Sequence, residues 1–345
     1  MTEPLISVIM SVYNGAEDAP KAIDSILDQA FDDFEFIIID NGSERDDTAH
    51  VLKKIAQTKN DPRLKIHTLP QNIGLAGALN YGIAQARGKY IARQDHDDLS
   101  KPERFAAQIQ YMEANPSCAI LGTRAEIWRG DTPRGISHNH ATGNLDLQFD
   151  LLFNNPFVHS SVFIRKDALD QVGVYTTDPT RQPPEDYELW SRIAQIYEVG
   201  NLAENYLIYR EMPKSMSRDD NNPFLDRLIT ITAENIAHAS KRDTHDIACR
   251  DAACLIHCAY DKLQAADIED ICNAIQTAAH NLEMRFGKNS LQARAETACN
   301  NLRHHFSHRH MPQNGAVISA LGRLPLPQKI KNFGKALINK RMTIR

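Results

Sequence analysis

Little of this chain is cysteine. Cys118, Cys249, Cys254, Cys258, Cys272 and Cys299 are six among 345 residues and lack the dense, regular spacing of a disulfide framework. The tightest group, Cys254-Leu-Ile-His257-Cys258, places two thiols four residues apart, on one helix face, without the further ligands a zinc site requires. These are read as buried structural thiols. No window of about 18 uncharged apolar residues is present, which excludes a spanning helix. The N-terminus has no basic segment followed by a long apolar run, so a cytosolic protein, or one attached to the cytosolic face, is expected. Acid is absent from Thr297 onward, where nine Lys and Arg accumulate. Subtracting those nine from the net charge of −5 leaves −14 on the first 296 residues. So acidic a body argues against nucleic acid as a partner.

The chain is long enough for two domains, and its 42% hydrophobic content supports buried cores. LISVIMSVYNG is a short apolar run ending in a polar loop, the pattern of a buried strand. A helix follows from Pro20 through Gln29, with Ala22, Ile23, Ile26, Leu27 and Ala30 at helical spacing. FEFIIIDNGS then repeats the buried strand and stops at Asp40-Asn41. The alternation continues with a helix over 48–58, a strand over 64–68, a helix over 75–86 and a strand over 89–93. This predicts an α/β fold with a mostly parallel sheet flanked by helices. Farther along, the pattern predicts helices at 104–115, 145–153 and 184–197, and strands at 119–127 and 161–165. The stretch 129–144, rich in Gly, Pro and His, is expected to be a mobile loop. Past about Asp220 the chain is helix-forming throughout. The expected division is 1–217 catalytic, 218–310 helical and 311–345 a basic amphipathic tail.

A dinucleotide-binding reading fails at the first βα turn, Asn14-Gly15-Ala16-Glu17-Asp18, which is not G-x-G-x-x-G; a G-x-x-x-x-G-K-[ST] loop is also missing. Ligands of open α/β sheets nevertheless bind beyond the carboxyl ends of the strands. Three such ends carry Tyr13, Asp40 and the run Asp95-His96-Asp97-Asp98. Asp95-x-Asp97 on a short loop offers hard oxygen ligands to Mn²⁺ or Mg²⁺. The alternative is a solvated turn or a helix cap, with Asp98 capping the helix that starts near Pro102.

In order and spacing, SVIMSVYNG, FEFIIIDNGS, NIGLAGALNYGIAQARGKYIARQDHDD, HSSVFIRKDAL and PEDYELWSRI resemble the family-two inverting glycosyltransferases with the GT-A fold. The resemblance covers residues 5–211. It implies a nucleotide-sugar donor, with Ser11 and Tyr13 beside the nucleobase and Asp40 and Asn41 at the base and ribose. Asn41 replaces the Asp often found there. Asp95 would face the ribose or metal shell, and Asp97 would bind the cation directly. Arg93 would pair with a phosphate or with Asp95. Asp186 matches the catalytic base, and Glu185 precedes it; without the upstream motifs, the preferred reading of Asp186 is a helix N-terminal charge. The implied acceptor is a glycan or lipid-linked glycan of a bacterial surface polysaccharide.

One departure matters. Where relatives continue Tyr-Arg-x-His, this chain has Tyr209-Arg210-Glu211-Met212. A thioether is a poor ligand for a hard cation, so either Lys214, Arg218 or another residue serves the phosphates, or metal binding is weaker. His159 is a second substitute, weighed against a hydrogen-bonded structural histidine. Nucleotidyl transfer and a catalytically inactive nucleotide-sugar-binding scaffold are the competing readings. In the tail, Leu326, Ile330, Phe333 and Leu337 form a stripe with Lys329, Lys331 and Lys335 mostly off it. Such a helix suits an anionic membrane surface, or docks on the protein's own acidic body.

Overall fold

A computed structural model describes residues 3–211 and 223–308. Within them the chain falls into two compact units, the first made of the described residues of 3–144 and 157–211, the second of Leu145–Pro156 and the described residues 223–308. The sequence did not reveal that 145–156 lies with the helical unit. Lys214, Met212, Arg218 and the basic tail lie outside the described residues.

The first unit runs β1 (Ile6–Val12), α1 (Ala19–Leu27), β2 (Phe34–Asp40), α2 (Thr48–Lys59), β3 (Leu64–Thr68), α3 (Gly74–Gln85), β4 (Tyr90–Asp95), β5 (Leu99–Ser100), α4 (Arg104–Ala114), β6 (Cys118–Arg129) and β7 (Thr132–His138). After α5 (Asn144–Asp150) come β8 (Phe163–Arg165), α6 (Lys166–Val172), α7 (Glu185–Ile196) and β9 (Glu198–Glu211). The strand order is β3-β2-β1-β4-β8-β6-β9-β5, with β7 paired to β6. The long ladders are parallel: β1 with β2 and β4, β2 with β3, and β6 with β9. The β4–β8, β8–β6, β6–β7 and β5–β9 ladders are antiparallel.

Every residue of β1 and β2 is buried, as expected of strands covered on both faces, which therefore read as continuous apolar runs. Pro20 stands in the first turn of α1, where a missing N–H costs nothing, and Ala19, Ala22, Ile23, Ile26 and Leu27 form its buried stripe. Val8, Met10, Ile23, Phe36, Phe105 and Phe163 share the resulting core.

Two sequence expectations are corrected. Residues 129–144 are not a loop throughout: Thr132–His138 pairs with β6 as a hairpin. Pro133 and Gly135 hid it, yet β7 pairs on one side only, where proline is tolerated. The long strand β9 went unread because its register against β6 shifts near Arg124, and Asn201, Glu204 and Asn205 interrupt any alternation.

The second unit contains α8 (Leu225–Ser240), α9 (Ile247–Ile256), α10 (Ile268–Phe286) and α11 (Gln292–His308). Ile271, Ala274, Ile275, Ala278, Ala279 and Leu282 of α10 bury one stripe against Phe149, Ile236, Ala252 and Ala295. Arg294 bridges Asp146 at 2.6 Å and Asp150 at 2.5 Å. All six cysteines are unpaired thiols. Cys254 and Cys258 do not share a helix face, because α9 ends at Ile256 and Cys258 is left-handed, at φ 57°. His257 instead meets the Thr232 hydroxyl at 2.9 Å.

Candidate active site

The parallel strands bring their carboxyl ends to one edge. In register, Ser11 of β1 lies between Ile39 of β2 and Asp95 of β4. Just beyond β1 the chain turns at Asn14, whose φ is 50°. Three successive N–H groups are then consumed by side chains of the β2–α2 loop and of the first residue of α2: Asn14 N donates to Ser43 Oγ at 3.0 Å, Gly15 N to Thr48 Oγ1 at 2.9 Å, and Ala16 N to Asp46 Oδ2 at 3.0 Å. Those three amides are therefore not free to cradle a phosphate, in keeping with the missing glycine fingerprint. Tyr13 stands half-buried at the same edge.

Asp40 ends β2 fully buried. Its Oδ1 accepts from Ser43 N at 3.1 Å, whereas its Oδ2 has no partner among the described residues. It lines a cleft of about 210 Å³ with Ser43, Glu44, Thr68, Pro70 and Asn72. Gly42 closes one wall: at φ +66° a Cβ there would lie 2.3 Å from the Gln71 backbone. Asn41 differs from Asp40. Its Nδ2 donates to Asn72 Oδ1 and Gly74 O, both at 3.2 Å, and its Oδ1 accepts from Ile73 N at 3.0 Å. Its amide is spent on holding the loop that forms the cleft wall.

At the end of β4, Asp95, Asp97 and Asp98 each place a carboxylate oxygen within 4.8 Å of the others. Burial alone would raise the Asp95 carboxyl, but the paired Arg93 guanidinium holds it well below the usual range. Arg93 thus pairs with Asp95, one of its two expected partners. Asp97 is pushed the other way, by burial and then by the Asp95 charge. Asp98 is pushed up further by burial and by both neighbouring acids. Its Oδ1 accepts from Arg210 N at 2.9 Å, and α4 begins after Glu103, so Asp98 is not a helix cap. Three converging carboxylates, two of them resisting ionisation, are hard oxygen donors whose repulsion a divalent cation relieves, so the residues present fit Mn²⁺ or Mg²⁺.

Arg210 ties this loop to its surroundings. Its Nη1 donates to Asp18 Oδ1 at 2.8 Å and to Asp97 O at 3.3 Å, and its Nε donates to Gly130 O at 3.2 Å. Arg104 does so from below, donating to Gln94 Oε1 at 2.9 Å, Ser100 Oγ at 2.8 Å and Arg93 O at 2.8 Å. Full burial, and then the Arg93 charge, lower it to about 9.

Glu185 and Asp186 open α7. Asp186 Oδ1 accepts from Tyr187 N at 2.7 Å. Glu185 is buried, and that burial, followed by the Asp186 charge, pushes its carboxyl up to about 7; Arg93 and Asp95 act on it in turn. Glu185 at the head of α7 is thus within electrostatic reach of the Arg93–Asp95 pair at the end of β4. His159 meets Tyr175 Oη through Nε2 at 2.9 Å, the hydrogen-bonded arrangement that was the alternative to a metal-assisting role. Tyr175 and Arg104 escaped the sequence reading, since isolated Tyr and Arg carry no spacing signal, whereas Ser160 and Arg210 lay inside quoted motifs without being given a role of their own.

A model of glycosyl transferase family 2 matches residues 7–173. The chain is 36% identical over 221 residues to the O-antigen biosynthesis glycosyltransferase WbnJ of Escherichia coli, covering 62% of this chain and 82% of that one. It is 31% identical over 204 residues to the amylovoran biosynthesis glycosyltransferase AmsE of Erwinia amylovora, covering 58% and 74%. Among solved structures, S. aureus TarS 1–349 in complex with UDP-GlcNAc superposes with a TM-score of 0.58 at 18% identity, over 88% of this chain and 90% of that chain. Mannosyltransferase PcManGT from Pyrobaculum calidifontis, in complex with GDP-Man and Mn²⁺, gives 0.50 at 18% over 91% and 89%. At such identity the likeness is one of fold, the GT-A arrangement with C-terminal helices. With relatives this similar across most of their own length, and the family model spanning the strands that carry the acidic loop, the chain belongs to glycosyl transferase family 2 and is a glycosyltransferase.

Proposed function

We propose that this glycosyltransferase moves a hexose or N-acetylhexosamine, with inversion and with Mn²⁺ or Mg²⁺, from a nucleotide sugar of the UDP class to a glycan or lipid-linked glycan acceptor in bacterial surface polysaccharide synthesis. The observation that carries the reading is the pairing of two acidic groups in one unit: Asp95, Asp97 and Asp98 at the end of β4, and Glu185 with Asp186 at the head of α7. The relatives named for O-antigen and amylovoran biosynthesis support the pathway class. The neighbours holding UDP-GlcNAc and GDP-Man support the donor class.

Asp97 and Asp95 would hold the cation, which when bound offsets charge developing on the departing diphosphate. Arg93 holds Asp95 as the anion and adds positive charge on the same side. The unpartnered Asp40 Oδ2 in its buried cleft is an acceptor without a donor, suited to a nucleobase N–H. Ser11 and Tyr13 border that region, and Asn41 acts by holding its wall. Asp186 takes the proton of the acceptor hydroxyl, from the side of the sugar opposite the diphosphate. Lys214 remains a proposal for the phosphate side, as does the tail for a membrane surface on the cytosolic face.

A donor panel with Mn²⁺, Mg²⁺ or chelator, read by nucleotide release and product mass, tests this. Release of a nucleoside diphosphate that chelator abolishes is expected. Pyrophosphate release would identify nucleotidyl transfer, and binding without turnover an inactive scaffold. Product NMR showing a retained anomeric configuration would overturn the displacement.

A further inference from the structure

The 3₁₀ turn His159–Ser161 touches the supports of both acidic groups. On one side, Ser160 Oγ accepts from Arg93 Nη1 at 3.1 Å and from Asp95 N at 3.0 Å, and donates to Asp95 Oδ2 at 2.8 Å. A hydroxyl has one donor and two acceptor positions, and these three contacts all go to the Arg93–Asp95 pair; the same hydroxyl also acts on the neighbouring Asp98 carboxyl. On the other side, His159 Nε2 meets Tyr175 Oη at 2.9 Å, and the His159 ring lies edge-on to Trp190 at 5.8 Å. Tyr175 contacts the same indole at 5.9 Å. Trp190 follows Asp186 by four residues on α7, hence on the same helix face.

The turn itself has little freedom. Ser161 Oγ donates to Val158 O at 2.8 Å and accepts from Thr123 N at 3.1 Å, while Gln108 Nε2 donates to Ser161 O at 2.8 Å. Tyr175 is gripped at its backbone by Asn80, which donates to Tyr175 O at 2.8 Å and accepts from Tyr175 N at 3.0 Å.

We infer that His159–Ser161 is a spacer setting the separation of the cation-binding carboxylates from the base: Ser160 orients Asp95, while His159 with Tyr175 holds Trp190 and, through it, the head of α7. This rests on the function proposed above. An in-line displacement needs base, acceptor and leaving group aligned, and errors near 1 Å cost on the order of 10² in rate. Ser160, His159 and Tyr175 are therefore positioning residues, and the two sides of the spacer fail differently.

The test compares Ser160→Ala and Tyr175→Phe in the full chain. Mn²⁺ affinity in the presence of UDP is read by the EPR signal of free Mn²⁺, and turnover by nucleotide release with the donor the panel selects. Ser160→Ala is expected to weaken Mn²⁺ binding about tenfold, the loss expected for a hydrogen bond to a charged group. Ser160→Thr, which keeps the hydroxyl, is expected to restore it. Tyr175→Phe is expected to leave Mn²⁺ and UDP affinity unchanged and to lower kcat about tenfold at unaltered donor KM. Wild-type Mn²⁺ affinity in Ser160→Ala, or a Tyr175→Phe effect on Mn²⁺ instead of kcat, would overturn the spacer. Should Ser160→Ala not fold, Ser160→Cys carries the same expectation. Asp97→Asn separates the two levels: if it too binds Mn²⁺ like wild type, the metal assignment fails, whereas failure at Ser160 alone condemns only the spacer.

Discussion

Glu185 and Asp186 are neighbours in sequence with different surroundings. Burial and the adjacent Asp186 charge push Glu185 from 4.5 up to about 7. The folded protein then holds a proton that the unfolded chain releases, so this group lowers stability as pH rises from about 4.5 to about 7. Glu185→Gln should flatten that decline and raise stability above pH 7 relative to wild type, by up to roughly 2 kcal/mol, in denaturant melts across pH. An unchanged pH slope would show that Glu185 ionises normally. For Asp186 the expected signature is kinetic: Asp186→Asn should retain nucleotide affinity and lose about 10² to 10⁴ in transfer rate. Nucleotide release at saturating donor measures it, and near-wild-type turnover would remove Asp186 as the base. Both residues were legible in sequence, because a helix start rich in acid is visible there. The raised proton affinity of Glu185 was not, since it depends on what covers that carboxyl.

Between elements, two contacts hold the acidic loop in place, and each gives an expectation. Gly15 lies so close to the loop that a Cβ would sit 2.5 Å from His96 Cδ2 and 2.9 Å from Val12 Cγ1. Gly15→Ala should cost about 1–3 kcal/mol of stability by overpacking and should weaken cation binding as His96 moves, checked by melts and Mn²⁺ titration. Arg104 reaches from the first turn of α4 to the backbone of β4 and the side chains of Gln94 and Ser100. Arg104→Met keeps bulk but strands those buried acceptors, so a loss of about 3 kcal/mol is expected in the same melts. Neither contact is written in the local sequence. Helical and strand periodicity report which face is buried, but not that a glycine in one loop makes room for a histidine 81 positions later.

Across the whole molecule, the acidic body and its acid-free end divide the charge, and the described chain divides into an α/β unit and a helical unit. Ligands that bind only the folded state stabilise it by mass action, about 2.7 kcal/mol at a hundredfold excess over Kd. UDP with Mn²⁺ should therefore raise the melting temperature, with chelator reversing the Mn²⁺ part, and should slow amide exchange at the ends of β1, β2 and β4. The absence of any such shift would count against the donor class. Apolar runs and their alternation with helices by themselves determined the α/β class, and the run Asp95-x-Asp97 marked a hard-ligand candidate, because buried parallel strands and hard-ligand chemistry leave local marks; Asp186 was singled out only by the resemblance to family two. Tertiary structure decided that Arg93 pairs with Asp95, that Asn41 holds a loop, and that the Ser160 hydroxyl meets the Arg93–Asp95 pair. It also revealed β7 and β9, whose pairing depends on a partner strand and tolerates proline, glycine and polar residues. Those facts depend on which distant segments meet, and a one-dimensional pattern carries no record of such meetings.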